Sequence, residues 1–78
     1  MREKRQQLVI TFATTTGAMA MEKFCMEQKI AGRLIPIPRE ITAGCGLAWK
    51  TEPGLRESIA EALQEHGLIW EEMYVLEL

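Results

Sequence analysis

The order of apolar and polar residues predicts a strand followed by a helix in the first third of the chain. Residues 8–13, LVITFA, are a short apolar run rich in β-branched and aromatic side chains, which is typical of a strand inside a sheet. The sequence TTTG ends this strand. Thr15 or Thr16 is expected to cap a helix there, by accepting a backbone N–H, and the helix is expected to run from residue 17 to about residue 30.

One side of this helix is predicted to face the core. Its apolar stripe is formed by Ala20, Met21, Phe24 and Cys25. The place of Cys25 on the stripe favours a packing role for that thiol. Gly32 is expected to end the helix, since glycine often follows the last helical turn.

The remaining pattern predicts three strands and a second helix. RLIPIP, residues 33–38, indicates a strand in which Pro36 and Pro38 remove hydrogen-bond donors and favour a sheet edge. Further along, the predicted elements are a strand at 46–52, a helix at 53–67 and a strand at 68–78. The stripe of that helix is Leu55, Ile59, Ala62 and Leu63, with His66 near its end and Gly67 as its stop.

The element order β-α-β-β-α-β predicts an α+β, ferredoxin-like fold, with two helices on one face of a four-stranded antiparallel sheet. In this topology the first strand and the second strand both run toward the same end of the sheet. The first helix and the loop TAGCG, residues 42–46, are therefore expected to lie at that end. Trp49, Trp70 and Tyr74 are expected to pack on the sheet, and any of them on the helix-free face would offer an apolar patch for a homodimer.

Composition limits the classes of function. The chain has 78 residues, so we expect a single domain over residues 1–78, with residues 1–7 as a flexible tail. A net charge of −2 argues against nucleic acid or an anionic membrane as the main partner. No signal or membrane span is apparent, and the 2 cysteines form neither a disulfide framework nor a metal signature. We therefore expect free thiols in the cytoplasm, with no cofactor and no metal.

The candidate for chemistry is Cys45, which lies between Gly44 and Gly46 in a predicted loop. A helix N-terminus or a nearby cation lowers the pKa of a thiol, and both the first helix and Arg39 belong to this end of the sheet. Thr42 offers a hydrogen bond to the sulfur, and the two glycines allow a sharp bend and close approach by another molecule.

A structural role for Cys45 is an equally good interpretation of the residues alone. A Gly-Cys-Gly turn can place a small side chain as a plug at the end of the sheet, and free cysteine is among the most buried residue types. The sole histidine, His66, is expected to favour a capping role at the end of the second helix over a catalytic one.

The residues also resemble a known family. GAMAMEKF after the threonines, the segment RLIPIPREIT and the loop GCGLA are similar to the small selenium/sulfur (Se/S) carrier-like proteins. The most specific part is Pro38-Arg39-Glu40-Ile41 followed by Cys45-Gly46, and the resemblance runs from Leu8 to the second helix. Members often have serines before the cysteine, where this chain has residues 42–44, TAG.

The resemblance implies that Cys45 carries sulfur or selenium, as a persulfide or its selenium analogue, between a donor enzyme and an acceptor enzyme. It implies that the cysteine loop is shaped by Arg39, Thr42, Gly44 and Gly46, and that Thr15 matches the threonine opening the family's first helix. With Thr16, that threonine is expected to help bind the cargo. The chain is then a carrier rather than a stand-alone enzyme. The alternative is a non-catalytic ferredoxin-like module for binding or dimerisation, in which Cys45 is structural.

Overall fold

A computed structural model of the chain describes residues 5–41 and 45–77. The elements along these residues are β1 (Gln6–Thr11), α1 (Thr15–Gln28), β2 (Arg33–Pro36), β3 (Leu47–Thr51), a 3-10 helix (Pro53–Leu55), α2 (Arg56–Glu65) and β4 (Glu72–Glu77). The predicted order β-α-β-β-α-β, and with it the ferredoxin-like α+β architecture, is confirmed. β1 begins earlier than predicted, so Gln6 and Gln7, which the sequence analysis assigned to a tail, pair with β4.

The strands form one four-stranded sheet in the order β2-β3-β1-β4. All three pairings are antiparallel, and β1 lies in the interior between β3 and β4. β2 is an edge strand, as its prolines predicted. Because β1 and β2 are both antiparallel to β3, they run in the same direction, and the start of α1 and the β2–β3 connection share one end of the sheet.

The main core lies between the sheet and the helices. Alternate side chains of β1, Leu8 and Ile10, point to this side, and Phe12 continues the pattern after the strand. The buried residues from the rest of the chain are Ala18, Met21, Phe24, Cys25, Trp49, Ile59 and Leu63. The prediction for Ala20 is wrong, since Ala20 is exposed and Ala18 is buried in its place.

Both ends of α1 differ from the prediction. Thr14, not Thr15 or Thr16, is the N-cap, because it has an extended backbone and its Oγ1 accepts the Gly17 N–H at 3.1 Å. The helix ends at Gln28, where Lys29 takes the left-handed conformation at φ 56°.

Gly32 has a different role from the helix stop that was predicted. Its φ is +130°, and a Cβ at this position would lie 2.5 Å from the Lys50 carbonyl oxygen and 2.6 Å from Trp49 Nε1. The glycine is therefore needed because any side chain at this position would collide with the Trp49 ring and the Lys50 carbonyl.

α2 ends as predicted. His66 is its C-cap residue, and Gly67 follows with φ 67°, so that the Leu68 N–H reaches back to the Leu63 carbonyl at 2.9 Å. Neither α2 nor any other helix in the described part of the chain is long and apolar enough to cross a membrane.

The sheet face without helices has a small core of its own. Val9 and Ala48 are fully buried there, covered in part by Ile41 from the β2–β3 connection. Partly buried neighbours complete this cluster: Ile35, Ile37, Tyr74 and Leu76. Trp49 packs on the helix side instead, and Trp70 lies before β4. A homodimer through this face stays a prediction.

Candidate functional site around Cys45

Backbone hydrogen bonds hold Cys45 against the end of β1. Its N–H donates to the Phe12 carbonyl at 3.0 Å, and the carbonyl of the next residue, Gly46, accepts the Ile37 N–H at 2.9 Å. One bond ties the residue to the strand that leads into α1, and the other ties it to the segment after β2. The position of Cys45 is therefore set by two separate parts of the fold, although it lies in a loop.

The thiol of Cys45 lies at the margin of the main core. The residue is partly buried and packs against the buried cluster between sheet and helices. Its Sγ is 4.0 Å from the Leu47 carbonyl oxygen, which is a weak contact for a thiol donor. The sulfur thus has an apolar side toward the core, and the residue keeps some solvent access.

Gly46 gives the loop the bend that was expected of the glycines. Its φ is +89°, in the region that residues with a side chain rarely adopt. Among the described residues other than its two chain neighbours, none has an atom within 4 Å of the point where a Cβ would be. With respect to the described part of the chain, the space beside Gly46 is therefore open. Gly44 and Thr42, the other predicted residues of the loop, lie outside the described residues.

The N-terminus of α1 lies at the same end of the sheet as Cys45. Phe12 links the two, because its carbonyl accepts from Cys45 and its Cβ would be 3.7 Å from a Cβ at Gly17 in the first turn of α1. Thr15 and Thr16 are the first residues of α1 and both are exposed. The free N–H groups of a first helical turn carry partial positive charge, which favours an anionic group at this end.

A shallow cavity of about 320 Å³ opens beside this first turn. It is lined by residues from Ala13 to Ala20, including Thr16 and Gly17, and by Gly67–Ile69 from the segment before β4. Ile69 lines this cavity and is 78% exposed, so the cavity has a solvent-exposed apolar side chain. The lining is mainly apolar, which suits contact with another protein more than capture of a small charged molecule.

Arg39 is exposed in the turn that follows β2. The turn is closed by the Ile41 N–H, which donates to the Pro38 carbonyl at 3.0 Å. Within the described residues, no hydrogen bond joins Arg39 to Cys45, whose sulfur bonds to Leu47 instead. The structure therefore puts the cation on the connection that carries Cys45, and the described residues show no hydrogen bond from it to the sulfur.

Cys25 and His66, the other two candidates for chemistry, pack against neighbouring side chains. Cys25 is 0% exposed, and burial raises the pKa of its thiol from the usual 9.0 to about 11, so it is protonated and enclosed at neutral pH. The His66 ring lies 4.9 Å from the Phe24 ring at a tilt of 53°, against the side of α1. In the described ranges, no group of three His, Cys, Asp or Glu side chains is arranged to hold a metal ion.

Sequence reasoning missed three residues that position Cys45, namely Phe12, Ile37 and Leu47. They act through backbone atoms, and the residue type does not show how a backbone N–H or carbonyl will be used. The signal that was available is the place of Phe12, one residue past the end of β1, where its carbonyl is no longer taken by the sheet ladder.

A model of the family described as "Putative Se/S carrier protein-like" matches residues 7–75. The match includes both helices, the Cys45 loop and all of the sheet except Gln6 of β1 and the last two residues of β4. No curated protein and no solved structure shows significant similarity to the chain.

Proposed function

Because the chain belongs to the Se/S carrier protein-like family, we propose that it carries sulfur or selenium on Cys45 and relays it between a donor enzyme and an acceptor enzyme. The cargo is a persulfide or its selenium analogue. The chain acts as a carrier with a reactive cysteine and depends on enzymes for both halves of the relay.

The observation that carries the proposal is the support of Cys45 by the backbone. A carrier thiol must be presented in a fixed position, yet must be reached by two different partners. The bond from Cys45 N–H to the Phe12 carbonyl supports the first requirement, and the partial exposure of Cys45 beside the open space at Gly46 supports the second. A buried plug would need neither an open neighbour nor a solvent-facing side.

The transfer is a thiol exchange in two steps without net oxidation. The Cys45 thiolate attacks the outer sulfur of a donor persulfide, the donor S–S bond breaks, and the donor cysteine leaves as a thiolate. Cys45 then bears the outer sulfur as a persulfide. In the second step an acceptor nucleophile attacks that sulfur, and the Cys45 thiolate is the leaving group. A selenium atom follows the same course.

The residues around Cys45 have proposed supporting roles. The first turn of α1, with Thr15 and Thr16, favours the anionic thiolate or persulfide through its partial positive charge. Arg39 adds a full positive charge on the same connection and is proposed to attract the anionic cargo. Thr42, with Gly44, remains a predicted hydrogen-bonding and shaping part of the loop. Arg39→Ala is expected to slow loading of Cys45, and Arg39→Lys to retain most of it.

The test of this function is loading followed by intact-protein mass measurement. The protein is incubated with a cysteine desulfurase and free cysteine, and wild type is compared with Cys45→Ser and Cys25→Ser. We expect one added sulfur on wild type and on Cys25→Ser, removed by a reducing agent, and none on Cys45→Ser. Circular dichroism of Cys45→Ser checks that its fold is unchanged.

Comparing Cys45→Ser with Cys25→Ser assigns the added sulfur to one of the two thiols. A sulfur adduct that is present on Cys45→Ser and absent from Cys25→Ser would assign the cargo to Cys25 and contradict the proposal. No adduct on any form, together with slow alkylation of Cys45 at neutral pH, would support the structural role of Cys45 and refute the carrier function.

A further inference from the structure

The two edges of the sheet are protected to different degrees. β2, at one edge, has four residues, ends with Pro36 and is followed closely by Pro38. Proline lacks the N–H that a further strand would accept, and short strands give few pairing sites. This edge is therefore poorly suited to pairing with another chain.

β4, at the other edge, has none of these protections. It has six residues, EMYVLE, with no proline, glycine or lysine. Its register with β1 is continuous over six residue pairs, from Gln6↔Glu77 to Thr11↔Glu72, so no bulge twists the edge away. Within the described residues, no strand pairs with its outer side. A regular, unprotected edge of this kind is a ready template for one more strand.

The side chains of β4 point to the same conclusion. Met73 packs on the main core, and Tyr74 and Leu76 pack in the cluster on the opposite face. Val75 lies on the helix side of the sheet yet remains 39% exposed. A strand added along β4 would place a side chain directly beside Val75 and would cover it.

We propose that β4 pairs antiparallel with β4 of a second copy of this chain. The result is a two-fold symmetric dimer with one continuous sheet, in which the two β4 strands are the central pair. The proposal concerns the edge of the sheet, so it differs from a dimer through the helix-free face, and it does not depend on the carrier function.

Charge selects the register of this pairing. Paired residues on neighbouring strands point to the same face, so the two-fold axis must pass beside a residue rather than between two residues. An axis at Tyr74 would put Glu71 of each copy opposite Glu77 of the other copy, and these like charges would repel each other. An axis at Val75 puts Tyr74 opposite Leu76 and Met73 opposite Glu77, with the two Val75 side chains together. An axis at Met73 or Leu76 would also avoid this repulsion, but it would pair only three residues of each β4, against five for an axis at Tyr74 or Val75. We therefore assign the axis to Val75.

The proposed dimer keeps the two Cys45 sites apart. Cys45 lies at the end of the sheet where β1 stops and β4 starts. In an antiparallel pair, the start of one β4 lies beside the end of the other, so the two Cys45 sites are at opposite ends of the shared sheet. The dimer leaves both sites open and does not bring the two thiols together.

The first experiment measures mass in solution over a range of concentrations, by sedimentation equilibrium. Wild type is expected to shift from monomer to dimer as concentration rises, because an edge pairing is a small interface. Val75→Lys is expected to be monomeric, since a charge at the centre of the pairing blocks it. The matched control is Ile69→Lys, which places the same charge on an even more exposed apolar residue outside β4 and is expected to leave the dimer unchanged.

A second experiment tests the register and does not require Val75→Lys to fold. In a Cys45→Ser background, Val75→Cys and Tyr74→Cys are each oxidised with oxidised glutathione, and Cys25 is retained because it is fully buried. Val75→Cys is expected to form a disulfide-linked dimer much faster than Tyr74→Cys. A wild type that is monomeric throughout, a Val75→Lys variant that remains dimeric, or faster linkage through Tyr74→Cys would overturn the proposal as stated.

Discussion

The buried thiol of Cys25 should make the stability of the fold depend on alkaline pH. The perturbation is a rise in pH from about 8 to about 11, across the window in which folded and unfolded chains differ in protonation. In the folded protein, burial raises the pKa of Cys25 from the usual 9.0 to about 11. In the unfolded chain this thiol is in water and loses its proton at the lower value.

The sign of the change in stability with pH depends on whether the folded or the unfolded chain keeps the Cys25 proton. Between pH 9.0 and about 11 the unfolded chain has lost the Cys25 proton while the folded chain retains it, so rising pH favours unfolding. The contribution is fully present below pH 9.0 and is lost as pH rises toward the folded pKa. Each pH unit crossed in this window lowers the free energy of unfolding by about 1 kcal/mol, and the whole titration, including its tails on either side, corresponds to about 2.7 kcal/mol.

The assay is urea unfolding at several pH values, in a reducing buffer. Cys45→Ser is the reference, so that Cys25 is the one thiol present, and Cys45→Ser with Cys25→Ala is the comparison. Between pH 9.0 and about 11 the reference should lose about 1 kcal/mol more than the comparison for each unit of pH. Equal pH slopes for the two variants would refute the assignment of Cys25 as an inert core thiol with a raised pKa.

The remaining predictions concern a helix cap and two glycines with positive φ. Thr14→Ala should cost about 1 kcal/mol in thermal or urea unfolding because it removes the cap, whereas Thr15→Ala should change stability little. Equal effects would contradict the assignment of the cap. Gly32→Ala should cost about 3 kcal/mol or more, since its Cβ meets the Lys50 carbonyl at 2.5 Å and φ is +130°. Gly46→Ala has space but the wrong φ, so it should cost about 1–2 kcal/mol and slow loading of Cys45 measured by mass; unchanged loading would remove Gly46 from the site.

Much of the fold could be read from the sequence because its local signals agree with each other. The apolar run of β1, the prolines of β2 and the glycine after α2 each have a strong local cause, and each is confirmed in place. The ends of α1 could not be read as well. Three threonines in a row are chemically equal candidates for the cap, and only the backbone conformation selects Thr14.

Tertiary contacts account for the other differences. Gly32 looked like a helix stop, but its requirement comes from the Trp49 ring, which is distant in sequence. The cover of Val9 and Ala48 by Ile41 arises from how the β2–β3 connection folds over the sheet. For the site, residue types indicated Cys45 and the helix terminus near it, whereas the Phe12 carbonyl that holds Cys45 in place has no signature in the sequence.

The two thiols of this small chain have contrasting environments. Cys25 is enclosed by the core, and its raised pKa keeps it protonated. Cys45 is partly exposed, held by the backbone at the end of β1 and adjacent to the open space at Gly46. These environments favour chemistry at Cys45 and packing at Cys25, which is the division that a carrier with one cargo site requires.

The most direct test of the carrier function is a chase experiment on protein loaded with radioactive sulfur. The donor enzyme is removed, a protein thiol acceptor is added, and the label on Cys45 is followed together with the intact mass. We expect the label to move to the acceptor while the protein returns to the mass of its free-thiol form, and we expect Cys45→Ser to acquire no label at any stage. Label that stays on the chain in the presence of the acceptor, or that loads Cys45→Ser as well as wild type, would contradict it.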